Sequence, residues 1–172
     1  MLETIVAPAT PYGESSIGVI RISGSKALEI VKLLTKAKDF KNRYAHYRKI
    51  YLDNDIIDDA IVTFYESPNT YTGEDLVEIS CHGSVIIIRT IVSELVNLGC
   101  LMAEPGEFTK RAFLNGKLDL LQAESIASII KSKSDINLKN QQKILSGQLS
   151  SKLLIIKQKL LDVLSYFEHH LD

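Results

Sequence analysis

Three charged residues sit where a strand or a helix corner does not ordinarily hold a charge. In "GVIRIS" (18–23) strand alternation puts Ile20 and Ile22 on one face and Val19, Arg21 and Ser23 on the other. In "DLVEISCH" (75–82) Val77 and Ile79 share one face, and Leu76, Glu78, Ser80 and His82 share the opposite one. A charge among apolar strand residues needs a partner or a solvated face. Two readings of Arg21 and Glu78 stay open: they face solvent or pair with each other, or they belong to a ligand site. The third residue is Lys117, in "EPGEFTKRAFLNGKLDLLQAE" (104–124). Asn115-Gly116 is a good helix terminus, yet a second apolar run begins directly after the lysine. Lys117 either complements the last carbonyls of that helix or contacts an anion at a domain junction, where ligand clefts tend to form.

Other chemistry is missing from the chain. There is no G-x-x-x-x-G-K-[ST], no H-E-x-x-H and no G-x-S-x-G, so no complete nucleophilic or metal-dependent site is assembled and no residue is assigned a catalytic or metal-binding role. "CHG" (81–83) places Cys81 and His82 on opposite faces of a strand, so they cannot act together as nucleophile and base. A core thiol and a strand-end histidine account for both.

The elements that must position these residues follow from periodicity. "TIVAPAT" (4–10) is a short strand broken by Pro8, "PYGESS" (11–16) a turn, and "IGVIRIS" (17–23) a strong strand. "SKALEIVKLL" (25–34) has the apolar spacing of one helix face, with Ser25 as its cap. "KIYLD" (49–53) and "AIVTFY" (60–65) are expected as strands joined by a turn through "NDIIDD". A loop (67–75), a strand (76–82), a helix from Ser84 to Gly99 and a strand at "CLMAE" (100–104) follow. This order predicts an α+β domain, with helices on one face of a largely antiparallel sheet, over residues 1–117. From 118 to 172 the pattern is all-α: a helix over 120–131, a polar stretch over 132–143, and a long amphipathic helix stepping from Leu145 through Leu149, Leu153, Ile156, Leu160, Leu164 and Phe167 to Leu171, with Gly147 its weak point. The apolar stripe is still running at "FEHHLD", which leads us to expect a longer protein.

With 45% hydrophobic and 24% charged residues, the 172-residue chain has a globular composition. Apolar runs such as "VIII" (85–88) are far shorter than a membrane span. A net charge of −1 disfavours a globally electrostatic nucleic-acid binder but permits a local patch. The start carries no basic or Arg/Ser-rich leader, and Cys81 and Cys100 form no C-x-x-C, so a reduced, cytoplasmic setting is expected.

"IVAPATPYGESSIGVIRISG", "YTGEDLVEISCHG" and "EPGEFTKRAFLNGKLDLLQAE" together resemble the amino-terminal part of the TrmE/MnmE family of tRNA-modification GTPases, and the resemblance runs the length of the chain. It implies a tetrahydrofolate-binding domain similar to the folate domains of glycine-cleavage T-protein and dimethylglycine oxidase, which also forms the family's homodimer, followed by the first helices of a helical domain. It further implies a reduced folate as one-carbon donor (5-formyltetrahydrofolate or methylene-tetrahydrofolate), the flavoprotein partner MnmG, and tRNA bound by the full-length complex, whose wobble uridine receives an aminomethyl-type group. GTP, Mg²⁺ and K⁺ are expected only in a GTPase domain that these 172 residues do not include. No membrane association is implied. By the resemblance, Arg21 of "RISG", Glu78 of the "TGED" segment and Lys117 of "LNGKLDL" are folate contacts. Two departures, "YGESS" where glycines are common and "CHGS" for "HGG", touch loop flexibility and leave the three charged positions intact. The alternatives are a dimerisation or partner-docking module without a small-molecule ligand, and a stand-alone folate enzyme, for which no further catalytic segment is seen.

Overall fold

In the computed structural model of this chain, residues 3–11 and 13–171 are described, the last two by backbone alone. Tyr12 of the expected turn and the side chain of Leu171, the last step of the apolar stripe, lie outside this description. The chain divides into two compact units, one ending at Lys117 and one starting at Leu118.

The first unit is built on a six-stranded sheet. Its strands are β1 (Ile5–Pro8), β2 (Ser15–Ser23), β3 (Ala45–Leu52), β4 (Asp55–Tyr65), β5 (Leu76–Gly83) and β6 (Leu101–Met102). They lie in the order β3-β4-β5-β2-β1-β6. Neighbours are antiparallel except for β1 and β6, which are parallel. Three helices accompany it: α1 (Ala27–Thr35), α2 (Val85–Asn97) and α3 (Glu107–Leu114). The alternation works as expected: Ile20, Ile22, Val62, Val77, Ile79 and Cys81 are buried in one core with Ile30, Val31 and Leu34 of α1 and Ile88, Ile91 and Leu95 of α2. Removing that apolar area from water is the main term favouring this fold. The core is close at one point: a Cβ on Gly18 of β2 would lie 2.5 Å from Ile88 Cδ1, so any larger residue there would displace the Ile88 side chain of α2.

Several local expectations need correction. Only Asn54 of "NDIIDD" is in the turn, with Asp53 before it; Asp55–Asp59 already belong to β4, because a register shift between Ile50 and Tyr51 of β3 breaks the period-two pattern there. Strand β3 starts at Ala45, four residues before "KIYLD". Ser25 does not cap α1: the residue before the helix is Lys26, with no side-chain cap, and its N–H is taken by Thr4 Oγ1 at 3.1 Å.

The second unit contains α4 (Leu120–Ile130), α5 (Asp135–Leu145) and α6 (Gln148–Leu171). Helix α4 opens on a reciprocal capping box, in which Asp119 accepts from the Gln122 N–H and Gln122 accepts from the Asp119 N–H. The expected polar stretch is in fact mostly α5, started by Ser134, whose side chain accepts from the Asn137 N–H. Gly147, at φ +81°, is in the left-handed region and separates α5 from α6, so Leu145 belongs to the shorter helix and the long stripe begins only at Gln148.

Candidate functional site

Arg21 and Glu78 are directly opposite each other on β2 and β5. The Glu78 Oε1 accepts from Arg21 Nε at 3.0 Å and from its terminal nitrogen at 2.6 Å. The pair is on the sheet face away from α1 and α2, with side chains 30% and 25% exposed. An ion pair this accessible contributes about 1 kcal/mol or less to stability. The second Glu78 oxygen is nearly free: its contact is the Tyr65 hydroxyl at 3.4 Å. Burial first, and then the Glu78 carboxylate, hold the Tyr65 phenol above its ordinary value, so it remains a protonated donor.

The arginine is flanked by two aromatic rings. Its guanidinium carbon is 5.5 Å from the centre of the Tyr71 ring and 5.9 Å from that of Phe108. Beside it is a cavity of about 410 Å³, walled by Ala7, Pro8, Arg21, Met102, Gly106 and Phe108 among others. The site thus offers a forked cation, a carboxylate oxygen with acceptor capacity to spare, and flat apolar surfaces, a combination suited to a planar heterocycle with polar edges.

Tyr71 belongs to the loop over 66–75, and α3 holds that loop in place. The Tyr71 hydroxyl bonds Thr109 Oγ1 at 2.9 Å, and Asn115 donates to the Thr72 carbonyl at 2.7 Å. Arg111, almost fully buried, joins Glu74 of the loop to Glu107 of its own helix. Desolvation alone would raise the Glu107 carboxyl; hydrogen bonds from Arg111 and the Glu104 N–H, with neighbouring positive charge, outweigh it and hold the group below its ordinary value. Glu74 also accepts from Ser23, two residues beyond Arg21 on β2.

Lys117 is placed differently from the other two. Of the three, Arg21 lines the cavity, while neither Glu78 nor Lys117 does. The exposed Lys117 ammonium donates to the Pro68 carbonyl at 2.9 Å, in the loop that carries Tyr71. Its backbone closes α3: the Lys117 N–H bonds the Ala112 carbonyl at 2.8 Å, the Gly116 N–H bonds that of Phe113 at 3.0 Å, and Gly116 has φ +68°. The structure therefore joins Arg21 and Glu78 directly and connects Lys117 to them through the loop. Tyr71, Phe108 and Arg111 were not singled out as site residues from the sequence. An arginine inside "EFTKRAFL" looks like a surface residue there, and only the fold brings Glu74 to it.

His82 and Cys81 do point apart. Cys81 is buried, while His82 is exposed and bonds Asp58 Oδ1 at 2.6 Å through Nδ1. Burial pushes both thiols up to about 11, with Asp58 adding to the effect at Cys81. Among the described residues no cluster of three or more His, Cys, Asp or Glu side chains could hold a metal. No described helix is long and apolar enough to cross a membrane.

The first unit is a mixed α/β domain whose six-stranded sheet carries the Arg21–Glu78 pair. The sequence model described as "GTP-binding protein TrmE N-terminus" matches residues 4–117. A tRNA modification GTPase MnmE of Aquifex aeolicus (strain VF5) is 46% identical over 174 aligned residues, covering 100% of this chain and 39% of that protein. One of Francisella tularensis subsp. holarctica (strain FTNF002-00 / FTA) is 49% identical over 170, covering 99% and 38%. The chain belongs to the MnmE (TrmE) family and corresponds to its N-terminal part. It spans about two fifths of the length of these curated relatives.

Proposed function

We propose that this chain is the folate-binding and dimerising part of a tRNA-modification GTPase. Residues 1–117 would be the folate domain, of the kind found in glycine-cleavage T-protein, and residues 118–172 the start of the helical domain. GTP hydrolysis would reside in sequence outside these 172 residues, since no phosphate-cradling loop is present in them. The whole protein would act with MnmG, in the cytoplasm, on the wobble uridine of tRNA.

The observation that carries the folate reading is Glu78. A carboxylate kept on a sheet face between an arginine and a tyrosine, with one oxygen almost unengaged, is poised for a further donor. The amino group and neighbouring N–H of a reduced pterin are such donors. Bidentate capture requires Arg21 to release Oε1 and turn toward an acceptor on the ligand, for which its guanidinium is suited. Lys117 is the third contact, with two N–H donors left beyond its bond to Pro68. The bound folate would supply the one-carbon unit; the chain's own residues bind and orient it and carry out no acid-base step.

Dimerisation through the sheet unit is supported by its two edge strands, β3 and β6, each with an outer edge unpaired among the described residues. The docking-module reading keeps this dimer and dispenses with the ligand. Calorimetric titration with 5-formyltetrahydrofolate separates the two: heat of binding that is lost in Glu78→Gln supports the folate site, and no binding to the intact chain removes it.

A further inference from the structure

The segment from Lys36 to Tyr51 was not used by the site above. It holds Lys36, Lys38, Lys41, Arg43, Arg48 and Lys49 against one carboxylate, Asp39. Among the described residues none of these six cations is in salt-bridge contact with a carboxylate. Four of them, Lys36, Lys41, Arg43 and Arg48, are held instead by groups that leave their charge unneutralised. Lys41 lies over Tyr44 at 5.8 Å, Arg43 over Tyr65 at 5.6 Å and Arg48 over Phe40 at 5.5 Å. Arg43 also donates to the Asn69 carbonyl and Arg48 to that of Tyr47.

Two tyrosines in the same stretch are open to solvent, Tyr44 at 55% and Tyr47 at 64% exposure. Tyr47 faces outward on β3, opposite the exposed Ile61 of β4 and on the same sheet face as Lys49, whereas Arg48 is on the other face, opposite the buried Ala60. Lysines on an edge strand guard against edge-to-edge pairing, and that alone would explain the charge. It does not explain large exposed rings beside them, because a protected edge would shed apolar surface rather than display it. Fixed cations interleaved with exposed aromatic rings have the chemistry of a single-stranded nucleic-acid platform, where phosphates meet the cations and bases stack on the rings.

We infer that the start of β3 and the segment leading into it form a contact surface for single-stranded RNA. Of the acidic residues of the hairpin, Asp53 and Asp55 lie at the far end of β3, Asp58 is bonded to His82, and Asp59 lies opposite Lys49, so the positive charge with no acidic neighbour opposite it is concentrated over Lys41 to Arg48. The inference rests on the proposal that RNA is a partner of the whole protein.

The test is fluorescence anisotropy with a labelled single-stranded RNA oligonucleotide and the full chain, over a salt series. Binding should weaken with salt. Lys41→Glu combined with Lys49→Glu should weaken it at least about tenfold and flatten the log–log salt slope by about 1.4, roughly 0.7 for each lost phosphate contact. Tyr47→Ala should weaken it about fivefold or more, while Tyr47→Phe keeps the stacking face and retains affinity. Thermal melts confirm that each variant folds, and Lys49→Gln serves if the double reversal does not. RNA binding that is unchanged in these variants overturns the surface but leaves tRNA as a partner elsewhere. No RNA binding by the full chain, or variants that lose self-association and keep RNA affinity, also overturns it, the last outcome assigning the edge to a protein contact.

Discussion

Lys117 donates from Nζ to the carbonyl of Pro68, 49 residues earlier in the chain, at 2.9 Å. The corner after α3 does not need this lysine for its backbone, since Gly116 supplies the left-handed turn and two backbone bonds close the helix. The side chain is left to bridge α3 to the loop that places Tyr71 against Arg21.

Lys117→Ala should therefore separate binding from folding. The residue is exposed, so unfolding free energy should change by about 1 kcal/mol or less. Folate affinity should fall by roughly fivefold or more, from loss of a charged donor. Paired calorimetry and thermal melts check both quantities.

Arg111 should show the opposite pattern. It is buried between Glu74 and Glu107, and removing it strands both carboxylates. Arg111→Ala should cost about 3–5 kcal/mol, read from urea unfolding. Glu107→Gln should lose part of the pH dependence of stability on the acid side. Its folded carboxyl is held low, so its contribution is present above the ordinary glutamate value and disappears as pH falls through the lower folded value.

The strands that carry Arg21 and Glu78 were legible from alternation because Ile20 and Ile22 of β2 and Val77, Ile79 and Cys81 of β5 form an apolar face opposite the charges. Their pairing was legible only as one of two options, since cross-strand register depends on which strands become neighbours. Helix α5 escaped notice because "DINLKNQQKIL" has no continuous apolar stripe, although Ser134 and Asp135 mark a helix start. In "IIDD" the doubled residues signal a break in period two: Ile56 is exposed and Asp58 is buried on His82. The role of Arg111 depends on a loop distant in sequence and left no local trace.

The two thiols give a prediction on the alkaline side. Burial raises both to about 11, so each is protonated at neutral pH and should resist thiol reagents until the fold opens. Because the unfolded thiols ionise first, stability should be intact below about pH 8.5 and decline as pH rises from there toward 11. Thiol labelling rates and urea unfolding across that range check this.

Truncation after Lys117 should leave a dimer, if the sheet unit is the dimer contact proposed above. Sedimentation of residues 1–117 at micromolar concentration checks it; a monomer would move the contact to α4, α5 or α6.

The central claim is that Glu78 is present to receive a folate rather than to stabilise the sheet. Calorimetric titration of Glu78→Gln with 5-formyltetrahydrofolate, with a thermal melt of the same sample, tests it most directly. The account predicts binding weaker by about 1.5–3 kcal/mol, the value of a hydrogen bond to a charged acceptor, with a melt shifted by no more than an exposed ion pair allows, about 1 kcal/mol. Unchanged folate affinity together with a markedly lower melting temperature would contradict it, leaving Arg21 and Glu78 as a structural pair.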